Sequence, residues 1–202
     1  MQILDKIVPS KRKRQKLLAN LSNVSSKPAV VQELTALQNE IAVGFSTKVI
    51  AVSSLRDDAL ASAFAKGLAD TFAINGEKTL VIDANLYNPS LSDVLGQQRG
   101  EGIVKLGDNV DAVMMEKQTY PSEVYKSGAI EEIVKAHESE YAHFVILVPN
   151  LRDHKEIALL KGFMTALILV TQRNVTAKQW IYEACAYCAE AELPFAKAVV
   201  LK

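Results

Sequence analysis

Apolar positions along the chain fall into two repeating patterns, and the alternation between them sets the fold class. Over residues 28–45 they recur at helical spacing, as Val31, Leu34, Leu37 and Ile41, which predicts an amphipathic helix. Beyond it, short apolar or β-branched runs predict strands at 48–52, 79–83, 111–115, 143–149, 166–171 and 196–201. Several of these runs are continuous rather than alternating, as expected for strands buried on both faces. Between them, periodic segments predict helices at 57–74, 90–95, 121–138, 153–163 and 176–190, with Gly76 and Gly162 as helix stops. Strands alternating with helices give an α/β fold, a mainly parallel sheet covered on both sides in three layers. The patterned region, residues 28–202, reads as one domain long enough to bury a core.

Residues 1–27 stand apart as a basic tail. They carry Lys11-Arg12-Lys13-Arg14 and Lys16 and end at a Ser26-Lys27-Pro28 break. Such a tail is either solvated or suited to anionic lipid or a partner's juxtamembrane segment. The whole chain has no charge bias, since Lys+Arg 23 balances Asp+Glu 23, and its aromatic content of 6% offers little base-stacking surface. No nucleic-acid partner is expected. The N-terminus lacks the apolar core of a signal peptide, and no run of about 18 apolar residues could span a membrane, so a cytoplasmic location is expected. Cys185 and Cys188 form a C-x-x-C, but inside a predicted helix rather than at its N-terminus, where redox pairs sit. Zinc would need two more ligands, and His137, His143 and His154 have no metal spacing, so both cysteines read as core residues and no metal is expected.

The most informative segment follows the first strand. A phosphate-binding loop places Gly-x-x-x-x-Gly-Lys-Ser/Thr at such a strand-to-helix turn. Here the turn reads Ser53-Ser54-Leu55-Arg56-Asp57-Asp58-Ala59-Leu60-Ala61-Ser62. It has no glycine to wrap a phosphate and no lysine to meet its charge. Two adjacent carboxylates stand where the anion would lie, and a like charge about 4 Å away near a surface costs about 4 kcal/mol before screening. Aspartate just before a helix also serves as an N-cap, so Asp57 and Asp58 read equally as an ordinary helix start.

In register with this loop, the chain resembles the bacterial tyrosine kinases of capsule and exopolysaccharide synthesis, a branch of the deviant-Walker P-loop ATPases that includes MinD and ParA. The likeness runs from about Pro28 to Lys202. The family's first helix carries Glu-x-x-Arg-x-x-Arg-Thr-Asn-Ile, used in self-assembly. Gln32, Thr35, Gln38 and Ile41 hold its frame without its charges, which makes Gln32, Thr35 and Gln38 the candidate oligomer contacts. The family loop Thr-Ser-x-x-Pro-Gly-Glu-Gly-Lys-Ser-Thr aligns without a gap to residues 53–63. Its glycines become Asp58 and Leu60, its lysine becomes Ala61, and Ser62 survives. The second motif, Ile-Asp-x-Asp-x-Arg-x-Pro, appears as Ile82-Asp83-Ala84-Asn85-Leu86-Tyr87-Asn88-Pro89, keeping Asp83 and replacing its second acid by Asn85 and its arginine by Tyr87. Pro121-Ser122-Glu123-Val124-Tyr125-Lys126-Ser127 is similar to the family's Pro-Ser-Glu-Leu-Leu-x-Ser. In the third motif strand, Tyr141 to Asn150, the metal-organising aspartate is Leu147. The tyrosines are scattered rather than clustered as in the tail such kinases phosphorylate.

The resemblance implies a P-loop NTPase-like sandwich whose nucleotide site is degenerate at Asp58, Leu60, Ala61, Ser62, Asp83, Asn85 and Leu147. Phosphoryl transfer rests on positioning and charge neutralisation, and magnesium wants oxygen ligands that Leu147 cannot supply. The expectation is therefore a pseudokinase with no catalytic residue and no ATP or magnesium cofactor. By the resemblance, its partner is a transmembrane polysaccharide co-polymerase or chain-length regulator, or an active kinase paralogue in a homo- or hetero-oligomer, holding it at the inner face of the membrane. Two alternatives stay open: an active protein-tyrosine kinase using Ser62, Asp83 and Arg56, or a MinD/ParA-like positioning adaptor. Asp83 is on this reading functional, a leftover of the motif, or a structural hydrogen-bond acceptor.

Overall fold

The computed structural model describes residues 15, 16, 18, 19, 21, 28–46, 48–97 and 102–201, so the basic residues 11–14 lie outside the described residues. In chain order the elements are α1 (Pro28–Ala42), β1 (Val49–Ser54), α2 (Asp58–Ile74), β2 (Thr79–Asp83), α3 (Leu91–Leu95), β3 (Ile103–Gly107), β4 (Val110–Met114), α4 (Pro121–Ser127), α5 (Ala129–His137) and β5 (His143–Leu147). A 3-10 turn (Glu156–Leu160), β6 (Ala166–Gln172), α6 (Lys178–Glu190) and β7 (Phe195–Leu201) complete the chain. The strands form one 7-stranded sheet in the order β3-β4-β2-β5-β1-β6-β7. Every pairing is parallel except that of β3 with β4.

The continuous apolar runs have the meaning expected of them. Every residue of β1, β2, β5 and β6 is buried. Successive side chains of a strand alternate between faces. Ile50, Val52, Val81, Val145 and Ile168 pack on one side against Leu34, Leu37 and Ile41 of α1 and Phe64, Leu68 and Phe72 of α2. Ala51, Leu80, Ile82, Phe144, Ile146 and Leu169 pack on the other against Tyr125, Ile130, Ile157, Ala184 and Cys188. Burial pushes the Cys188 thiol up to about 11, as befits a core cysteine with little thiolate at neutral pH.

The helix α2 is buried from Leu60 through Phe72 because α1 covers the side that the sheet leaves open. It closes in a Schellman motif: Glu77 N–H donates to Phe72 and Gly76 N–H to Ala73, with Gly76 at φ 83°. The N-terminal segment also joins this layer, since Leu21 is 5% exposed and belongs to the same core. No helix among the described residues is long and apolar enough to cross a membrane.

The structure corrects three expectations. The helix predicted over 121–138 is two helices, because Gly128 takes φ 81° and ends α4 before α5 begins. The helix predicted over 153–163 shrinks to a 3-10 turn. There the side chain of Asn150 accepts from Asp153 N–H at 3.0 Å, a local turn that competes with helix propagation. Finally, β3 was not foreseen; it is a partly exposed edge strand that turns into β4 through Asp108 and Asn109, the latter at φ 60°.

Candidate functional site

The ends of β1, β5 and β2 lie side by side. Val52 pairs with Leu147, and Leu147 with Asp83, so the three motif positions read from distant parts of the sequence share one row at the carboxyl edge of the sheet. Ligands of open α/β sheets bind at this edge. A cavity of about 670 Å³ opens beside it, lined among others by Arg56, Asp57, Asp58, Ser90, Asp93 and Gln172. Among the described lining residues are the carboxylates of Asp57, Asp58 and Asp93 and the guanidinium of Arg56.

The turn after β1 is closed by its own side chains. Asp57 is the N-cap of α2, its carboxylate accepting from Leu60 N–H at 3.3 Å. Asp58 accepts from the Ser54 hydroxyl and from the Asn88 amide, both at 3.0 Å, pinning the turn to the segment after β2. Ser53 donates to the Pro149 carbonyl at 2.7 Å, tying the turn to the end of β5. The described residues with positive φ are Asn109, Asn174, Glu192 and four glycines, all outside residues 53–62. An anion nest needs alternating right- and left-handed residues, and this turn has none of the latter.

The remaining candidate residues face inward. Leu60, Ala61 and Leu147 are each 2% exposed and belong to the cores. Ser62 is buried with its hydroxyl 2.7 Å from that of Ser90. Asp83 is 1% exposed and acts as a helix-start acceptor: one oxygen takes Ser90 N–H at 3.0 Å and Leu91 N–H at 2.9 Å, the other Asn85 N–H at 3.3 Å. Asn85 caps the next turn by accepting from Asn88 N–H at 3.2 Å. Of Asp58, Leu60, Ala61, Ser62, Asp83, Asn85 and Leu147, Asp58 alone is among the described lining residues of the cavity. On α1, Gln32 is exposed and Thr35 half-buried, whereas Gln38 is buried and donates to the Leu68 carbonyl at 3.4 Å.

Sequence reasoning missed a polar cluster around Tyr87. Tyr87 stacks on His154 with ring centroids 3.7 Å apart and donates to Glu156 at 2.5 Å; the Ser122 hydroxyl also reaches Glu156 at 3.4 Å. Burial pushes Glu156 up, but hydrogen bonds from Tyr87 and Ser122 and the proximity of His154 outweigh it and hold the carboxyl below its usual range. The cluster ties the segment after β2 to the connection after β5. Below it the buried hydroxyl of Tyr125 donates to Ala84 at 2.8 Å. Among the described residues no group of three His, Cys, Asp or Glu side chains could hold a metal ion.

No protein-family model matches the chain, and no curated protein sequence matches it. Solved structures do. The chimerical protein CapA2B2 superposes with a TM-score of 0.79 at 17% identity, covering 92% of this chain and 89% of that one. The kinase domain of the Escherichia coli tyrosine kinase ETK gives 0.77 at 17% identity, covering 98% and 86%. The septum site-determining protein MinD of Pyrococcus horikoshii OT3, complexed with Mg-ADP, gives 0.56 at 17% identity over 77% and 70%. The chain therefore shares the fold of CapA2B2 and of the ETK kinase domain, and is less similar to MinD.

Proposed function

We propose that this chain is a non-catalytic pseudokinase of the capsule and exopolysaccharide tyrosine-kinase type, acting by binding rather than by phosphoryl transfer. The observation that carries the reading is the engagement of every former nucleotide position within the fold itself. Asp58 and Asp83 hold turns together, Ser62 is sealed against Ser90, and Leu147 is core. A phosphate entering the cavity would meet Asp57, Asp58 and Asp93, with Arg56 the one cationic side chain among the described lining residues. Magnesium would find an aliphatic side chain at Leu147 instead of an oxygen. Neither ATP nor magnesium is a cofactor on this reading. The partner is a membrane chain-length regulator or co-polymerase, or an active kinase with this fold, and the chain sits at the cytoplasmic face of the membrane through that partner. Titration calorimetry with Mg-ATP tests the proposal: no saturable heat is expected up to millimolar nucleotide, and binding at micromolar concentration would overturn it.

A further inference from the structure

The sheet ends at β7, which among the described residues pairs with β6 alone. Its run Phe195-Ala196-Lys197-Ala198-Val199-Val200-Leu201 is rich in strand formers and holds no proline. The register against β6 shifts at Ala196, which leaves 197–201 as the regular stretch. There the Val199 carbonyl accepts from the Thr171 hydroxyl and the Leu201 carbonyl from Arg173 N–H, both at 2.9 Å. These two residues thus turn their backbone toward β6. Backbone groups alternate sideways along a strand, so Ala198 and Val200 turn their N–H and C=O groups away from the sheet. Val200 is 51% exposed. Such an edge is a template for another strand, and a lysine commonly guards it. Here Lys197, the one charged side chain of β7, is held in an ion pair by Glu40 of α1. Beside the edge lies a groove of about 440 Å³ between α1 and β7, lined among others by Val30, Leu34, Leu37, Phe64 and Val199.

We propose that a second copy of this chain pairs on β7, antiparallel and across a two-fold axis at Val199, so that two sheets join into one. Three features favour this occupant. The first is register. Centring on Val199 sets Ala198 opposite Val200 of the second copy, and each such pair exchanges two backbone hydrogen bonds. Lys197 then stands opposite Leu201, and the bulge at Ala196 falls outside the pairing. The second is the match of faces. Val199 and Leu201 pack on the α1 side of the sheet and Ala198 on the other, and opposite residues of this pairing share a face. The third is charge. With Lys197 held by Glu40, two such edges meet without free like charges, whereas a charged peptide finds no open counter-charge on the strand. The contact is isologous, so it closes on two copies and does not propagate. The pairing surface is far in the sheet order from β2 and does not depend on whether the chain binds ATP.

Sedimentation velocity of the full chain over a concentration series tests it, with a concentration-dependent doubling of mass expected. Val200→Lys places a charge in the pairing at a half-exposed position and should abolish the doubling while the thermal melt of the monomer stays in place. Disulfide trapping reads the register without disturbing the edge. In a chain carrying Cys185→Ala and Cys188→Ala, Val199→Cys sets two thiols across the axis on residues whose Cα atoms lie about 4.5 Å apart, within disulfide range. Ala196→Cys sets them about 20 Å apart by strand rise. Mild oxidation should therefore link Val199→Cys at least five-fold more than Ala196→Cys. A mass that stays monomeric at every concentration overturns the proposal. So do equal yields from the two cysteine variants, which mean random collision, and a dimer that survives Val200→Lys, which places the contact elsewhere. Slow hydrogen exchange of the Ala198 and Val200 amides in a chain that stays monomeric also overturns it, because the edge is then covered within one copy.

Discussion

Asp83 has a structural task that its surroundings assign. Its carboxylate accepts three backbone N–H groups that start α3 and the turn before it. Replacing it by alanine leaves buried donors unpaired, and a loss of about 2 kcal/mol in urea unfolding is expected. A residue kept only for a lost reaction would leave stability unchanged. Tyr125, read in the sequence only as part of the stretch Pro121–Ser127, also has a structural task. Burial first, and then nearby negative charge, raises its pKa well above the ordinary tyrosine value of about 10. The raised folded-state value means that its stabilising contribution is complete below pH about 10 and is lost as pH climbs toward that value. Thermal melts from pH 9 to 11.5 are expected to fall steadily above pH 10, and Tyr125→Phe should flatten that fall while lowering stability at pH 8 by about 1 kcal/mol.

Elements were legible where one interaction decides them and misread where two compete. The buried strands announced themselves because a strand covered on both faces has no polar position to interrupt its apolar run. Asp57 as the N-cap of α2 was legible too, since a carboxylate before an apolar helix has donors waiting for it. By contrast, α4 and α5 share one helical periodicity, and only the backbone of Gly128 divides them. At φ 81° a side chain there is strained, so Gly128→Ala should cost about 1–2 kcal/mol, measured by urea unfolding. A neutral effect would mean that the two helices can merge. The edge strand β3 escaped notice because an edge is half-solvated and keeps Lys105 in a short run with no clean alternation.

At the scale of the whole molecule, the site proposed here as a former nucleotide site draws on three strand ends rather than on one loop. Restoring the loop alone, with Asp58→Gly, Leu60→Gly and Ala61→Lys together, is therefore expected to give no saturable Mg-ATP heat. Leu147 would still offer magnesium no ligand, and Asp83 would stay bound to α3. Micromolar binding by this triple variant would mean that the loop by itself determines nucleotide affinity. The sequence alone determined the α/β class, the central buried strands and the order of elements apart from β3, the break at Gly128 and the 3-10 turn at Glu156–Leu160. Those follow from period and local chemistry, which are written in neighbouring residues. Only the tertiary structure decided that Val52, Leu147 and Asp83 share a row, that Ser62 meets Ser90, that Gln38 turns inward and that Leu18 borders an acidic cavity. These contacts join residues far apart in the chain, and no local period encodes which side chain will be left facing solvent once the layers close.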